Sequence, residues 1–119
     1  MGSNAGSDSP ALAPLVVVVD DDPLVLAVTR RLLTRSGYRV ITCDHPQSAL
    51  REVLQGAPFA VVADLHMPDL SGPEFLGLVA NLAPATRRIL YTGEAHASEI
   101  ARAVSPRVVD AVVAKADGN

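Results

Sequence analysis

Asp20-Asp21, Asp64, Thr92 and Lys115, the only lysine of the chain, are the residues whose types and spacing could do chemistry. Each follows a short apolar run: Leu15–Val19, Phe59–Ala63, Arg88–Tyr91 and Val108–Ala114. Runs of that length, rich in Val and bounded by turn formers, read as strands buried on both faces. In a parallel sheet such strands bring their last residues together at the carboxyl edge, where open α/β folds place their ligands. Two adjacent carboxylates facing a third raise one another's pKa unless a cation neutralises them. Donors that are all oxygen suit a hard ion such as Mg²⁺, which also binds phosphate oxygens. A carboxylate beside that ion can attack phosphorus, with the Thr92 hydroxyl and Lys115 ammonium suited to the phosphoryl oxygens. Asp64 is the expected nucleophile.

Each of these residues also has a plainer role. Asp22 before Pro23 reads as an N-cap with proline at the first helical position, and acids there favour the helix dipole. That accounts for Asp22 and leaves Asp20 and Asp21 to be explained. Asp64 would serve as an Asx-turn residue, Thr92 as a strand former and Lys115 as a solvated strand end. Cys43 sits in an apolar pattern and reads as a core thiol. His45 and His96 lie beside helix starts and read as surface residues, and Met67 as a loop anchor packing inward.

The elements that must position the site follow in alternation. Residues 1–14 are small, polar and proline-marked, a flexible leader outside the fold. Strand one is Leu15–Val19. Helix one runs from Pro23 to Ser36-Gly37, with Val25, Val28 and Leu32 as its apolar stripe and Arg30, Arg31 and Arg35 outward. Strand two spans Tyr38–Cys43, helix two opens at Asp44-His45-Pro46 and closes at Gly56-Ala57-Pro58, and strand three is Phe59–Asp64. Helix three runs from Pro73 to Leu82, strand four is Arg88–Thr92, helix four spans Ala95–Val104, and strand five is Val108–Lys115. Strands and helices alternating in this way predict right-handed crossovers and a parallel sheet with helices on both faces.

Composition narrows the function classes. The 119 residues make one domain, with 49% hydrophobic and only 3% aromatic residues, so the core is aliphatic. A net charge of -3 without a basic run argues against direct nucleic-acid binding. One cysteine excludes a disulfide framework, and no apolar stretch approaches membrane length. A soluble cytoplasmic domain is expected.

Taken in order, Asp20-Asp21-Asp22-Pro23, Asp64-Leu65-His66-Met67-Pro68 with Ser71-Gly72, Thr92-Gly93-Glu94-Ala95 and Ala114-Lys115 make the chain resemble the receiver domains of bacterial two-component response regulators. The resemblance covers Leu15 to Lys115. It implies a flavodoxin-like, doubly wound parallel sheet of five strands in the order 2-1-3-4-5. It implies that Asp64 takes a phosphoryl group from the phosphohistidine of a sensor histidine kinase or phosphotransfer protein. Mg²⁺ would be held by Asp20, Asp21, Asp64 and the backbone carbonyl of His66, with Thr92 and Lys115 reading the acyl phosphate. His66 and Glu94 match positions that tune loss of the phosphoryl group to water. Such a domain is a signalling switch rather than a turnover enzyme, with an output domain or partner protein outside this chain.

Similar domains carry proline after the lysine and an aromatic three residues before it; here those positions are Ala116 and Val112. Tyr91, next to Thr92, should point to the opposite side of its strand and is a poor substitute. Only Ala-Asp-Gly-Asn follows Lys115, too little for the fifth helix usual in the family. The expectation is a receiver cut from a longer protein, or one that completes itself as a homodimer. The alternative function is a pseudo-receiver that binds proteins without phosphorylation. An aspartyl phosphatase would want an acid at His66 and a cap domain, and a flavin carrier would want Gly, Ser or Thr in the acidic first turn.

Overall fold

A computed structural model describes residues 13–115. The expected leader, apart from its last two residues, and the Ala116 position lie outside the described residues. The strands are β1 (Leu15–Val19), β2 (Arg39–Cys43), β3 (Ala60–Asp64), β4 (Arg87–Thr92) and β5 (Ala111–Ala114). Between them run α1 (Pro23–Arg35), α2 (Pro46–Gly56), α3 (Gly72–Leu82) and α4 (Glu94–Ala103). All strand pairs are parallel, and the order is β2-β1-β3-β4-β5, a flavodoxin-like sheet. Among the described residues no helix is long and apolar enough to cross a membrane.

Alternation along the strands divides the core in two. Val17, Val19, Val61, Ala63 and Leu90 meet Ala49 and Val53 of α2 and Phe75, Leu76 and Val79 of α3, with Ile100 of α4 at the margin. Val16, Val18, Ala60 and Val62 face the other way, toward Leu26 and Leu33 of α1. Among the described residues, helices α2, α3 and α4 therefore cover one face and α1 alone the other. Cys43 is buried, and burial pushes its thiol up to about 11, so it packs as the expected core residue. Met67 packs inward from its loop, and His45 and His96 are exposed, as the sequence suggests.

Two local expectations need correction. The inward stripe of α1 is Leu26, Thr29 and Leu33, whereas Val28 and Leu32 are 48% and 49% exposed. This helix is apolar around much of its circumference, so the spacing fits two faces and only its seat on β1 and β2 chooses between them. Second, β5 begins at Ala111 rather than Val108. The N–H groups of Val108 and Val109 both donate to the Ser105 carbonyl, closing a turn that carries Val109 into the core. The buried Arg88 guanidinium holds that turn, with Nε donating to the Val108 carbonyl at 2.8 Å and Nη1 to the carbonyls of Thr86 and Pro84. The Arg88 N–H donates to Asp110 Oδ2 at 2.7 Å, and the Asp110 N–H returns a bond to the Arg88 carbonyl at 2.8 Å. The close of α2 at Gly56-Ala57-Pro58 is as the sequence suggests: Gly56 is the last helical residue, and Ala57 takes the left-handed position at φ 44°. A side chain on Gly56 would press on Leu15 Cδ2 at 3.0 Å, so packing accounts for the glycine.

Candidate phosphoacceptor site

Asp20 extends β1 by one residue, its N–H donating to the Cys43 carbonyl at 3.1 Å. Its carboxylate is buried, and Oδ1 accepts the Asp22 N–H at 2.9 Å. Asp22 accepts the Leu24 N–H at 2.9 Å and caps α1, so the three consecutive acids divide their work as their spacing implies. Asp21 is exposed. Asp64 ends β3, and among the described residues Asp20, Asp21 and Asp64 each offer a carboxylate oxygen within 4.8 Å of the others.

Lys115 closes the cluster. Its N–H donates to the Thr92 carbonyl at 2.7 Å, carrying the β4–β5 pairing one residue past Ala114. Its Nζ donates to Asp20 Oδ2 at 2.8 Å and to Asp64 Oδ1 at 2.6 Å. Asp20, Asp64 and Lys115 share one strand parity, so all three side chains rise on the α1 side of the sheet before turning over the rim. Buried Thr92 ends β4 at the same rim, its parity that of Leu90 on the opposite face. The His66 side chain is exposed and joins none of these contacts among the described residues. The Glu94 side chain lies outside the description.

Burial dominates the electrostatics of Asp20. Desolvation raises its carboxyl above the ordinary range against the lowering effect of Lys115 and the Asp22 N–H, and the Asp64 charge adds to the rise. Lys115 loses by desolvation and gains more from Asp20 and Asp64, so its ammonium is held above the usual lysine range. The two partners thus shift in the same direction, because Asp20 is the more deeply buried. One ammonium among three carboxylates leaves an excess of negative charge. Hard oxygen donors with that charge fit a divalent cation of the Mg²⁺ type, which Asp20, Asp21 and Asp64 would hold.

The loop after β3 is fixed from beneath. Ser71 caps α3 by accepting the Glu74 N–H at 3.2 Å, while Glu74 Oε1 accepts the Ser71 N–H at 3.0 Å. The Gly72 N–H donates to the Leu65 carbonyl at 2.8 Å. A Cβ on Gly72 would strike the Asp64 carbonyl and lie 2.7 Å from Leu90 Cδ1, so only glycine lets this loop close under Asp64. The pattern Ser-x-x-Glu at positions 71–74 was the available signal for the cap, and nothing local announced the contact with Asp64.

The family model for the response regulator receiver domain matches residues 16–117. The chain belongs to the response regulator receiver family. Solved receivers resemble it over most of their length. A response regulator receiver domain protein from Clostridium thermocellum superposes with a TM-score of 0.76 at 25% identity, over 88% of this chain and 83% of that one. The response regulator TrrA from Thermotoga maritima, in complex with Mg²⁺-BeF, gives a TM-score of 0.75 at 26% identity, over 87% and 88% of the two chains. By sequence, this receiver is 44% identical over 63 residues to the transcriptional regulatory protein KdpE of Mycobacterium tuberculosis. That match covers 53% of this chain and 28% of KdpE, so the receiver spans little more than a quarter of that relative's length.

Proposed function

We propose that this receiver accepts a phosphoryl group on Asp64 from the phosphohistidine of a sensor histidine kinase or phosphotransfer protein. The observation that carries the reading is the Asp64 carboxylate at the tip of β3, gripped by Lys115 and flanked by Asp20 and Asp21. Lys115 donates to Oδ1, and Oδ2 has no hydrogen-bond partner among the described residues. A carboxylate oxygen attacks phosphorus, a P–O bond forms as the P–N bond breaks, and the imidazole leaves with the electron pair and takes up a proton. A bound Mg²⁺ would supply charge neutralisation between the carboxylate and the incoming phosphoryl oxygens. Lys115, already within reach of both acids, turns its ammonium to a phosphoryl oxygen, and the Thr92 hydroxyl at the same rim is suited to donate to another.

The product is an acyl phosphate that water returns to the free carboxylate, so the chain acts as a cytoplasmic switch. Its changed rim alters contacts with an output domain or partner protein, and the chain needs no nucleic acid of its own to do so. TrrA, solved in complex with Mg²⁺-BeF, makes the same probe a natural one here. The test is intact mass before and after incubation with acetyl phosphate and Mg²⁺. The mass of one phosphoryl group should appear, and vanish in Asp64→Asn or with EDTA. No gain for the unmodified sequence, or an equal gain in the variant, refutes the proposal.

A further inference from the structure

We infer that Tyr91 is a positioning residue for phosphoryl transfer: its ring is the seat over which the Lys115 ammonium is held. Lys115 Nζ lies over the Tyr91 ring, 5.7 Å from its centroid, within the range of a cation–π contact. Register explains how the two meet. Tyr91 pairs with Val113, and Lys115 continues the same parity two residues on, so both side chains leave the sheet on the α1 side. Asp64 pairs with Tyr91 on the neighbouring strand and also has that parity. The ring therefore stands between β3 and β5, on the path the lysine stem must follow to reach Asp64 and Asp20. Thr92, one residue later, belongs to the other face, so adjacent residues of β4 serve the rim from opposite sides of the sheet.

The seat matters because the lysine has few other restraints. The burial pattern of β5 is open, with Ala111 and Val113 exposed on this face. Lysine carries a flexible four-carbon stem, and its two carboxylate bonds alone let the stem approach from several directions. When Lys115 turns from the acids to a phosphoryl oxygen, those bonds change and the ring contact remains. Tyr91 is half-buried, and its face accepts a cation whether or not its hydroxyl is present. The contact thus predicts that Phe substitutes at this position and an aliphatic residue does not.

This inference rests on the proposed phosphoacceptor role for its kinetic arm and not for its spectroscopic one. Because Lys115 is the only lysine, lysine-selective isotope labelling gives a single side-chain spin system. Its terminal methylene protons should lie upfield of free lysine in the unmodified chain and in Tyr91→Phe, and return toward the free position in Tyr91→Leu. With acetyl phosphate and Mg²⁺, Tyr91→Phe should be phosphorylated within two-fold of the unmodified rate, and Tyr91→Leu about five-fold more slowly, the factor expected of a partly exposed cation–π contact. Thermal melts identify an unfolded variant. If Tyr91→Leu does not fold, an unshifted lysine signal in the unmodified chain still overturns the inference. Equal rates in folded Tyr91→Leu, or a Tyr91→Phe as slow as Tyr91→Leu, overturn it as well. A chain that takes no phosphoryl group at all refutes the phosphoacceptor proposal instead, and the lysine signal then decides the seat by itself.

Discussion

Replacing Lys115 by Met keeps much of the aliphatic stem and deletes the ammonium that two carboxylates share. Three carboxylates whose oxygens lie within 4.8 Å are then left without a cation among the described residues. Removing one partner of a fully buried ion pair costs about 3–5 kcal/mol. Here the lysine side chain keeps 19% of its exposure and Asp21 is open to water, so the loss should fall below that range, at about 2 kcal/mol. For a domain of this size that lowers the melting temperature by about 10 °C. The deficit should depend on divalent cation. A ligand at a hundred times its dissociation constant stabilises by about 2.7 kcal/mol, and Mg²⁺ should bind the variant more tightly because no ammonium competes for Asp20 and Asp64. The assay is urea unfolding of both proteins in EDTA and in saturating Mg²⁺. A gap of about 2 kcal/mol is expected in EDTA, shrinking by half or more in Mg²⁺. No gap in EDTA, or the same gap in both conditions, refutes it.

Gly72→Ala should destabilise the fold by about 1–3 kcal/mol and slow phosphorylation of Asp64, since the new methyl meets the Asp64 carbonyl. Gly77→Ala in the middle of the same helix meets nothing and should stabilise by up to about 1 kcal/mol, a matched control in one set of melts. The Ser71 N–H and hydroxyl hold the Glu74 carboxyl below its ordinary value, so its contribution is complete above the unfolded carboxylate range and is lost as pH falls through the lower folded value. The stability gap between the unmodified chain and Glu74→Gln should therefore narrow in acid, measured by urea unfolding between neutral pH and pH 3. Leu24, Val28 and Leu32 on α1 and Val113 on β5 form exposed apolar surface on one side of the sheet, so these 119 residues should sediment with a mass that rises with concentration. Leu32→Glu should suppress that rise, and a monomer at every concentration would contradict the expectation.

Much of the fold was legible because its signals are redundant. Val-rich runs, Asp22-Pro23, Pro46 and Gly37 each mark a boundary independently, and their alternation dictates a parallel sheet. The rim was legible for the same reason: an acid, a hydroxyl or an amine at the end of a buried strand has few other places to go. What escaped depends on tertiary contact. No local pattern distinguishes Leu26-Thr29-Leu33 from Val25-Val28-Leu32 as the inner stripe of α1, because both have helical spacing. Val108 and Val109 have every strand propensity, and only the buried Arg88, from a different strand, draws them into a turn. The alternation placing Tyr91 and Thr92 on opposite faces was readable, while the reach of Lys115 across the Tyr91 ring was not, since a four-carbon stem crosses from one face to the rim.

Arg88 and Asp110 lie at the far end of the sheet from the carboxylates, yet they set where the last strand starts. From Asp110, the five residues to Lys115 advance the chain by about 16 Å at strand rise. A mutation that loosens this anchor would leave every acid in place and deliver the amine to the wrong height. Screens for signalling defects in this protein should therefore recover substitutions at the base of β4 whose effects look like damage to the carboxylate cluster itself.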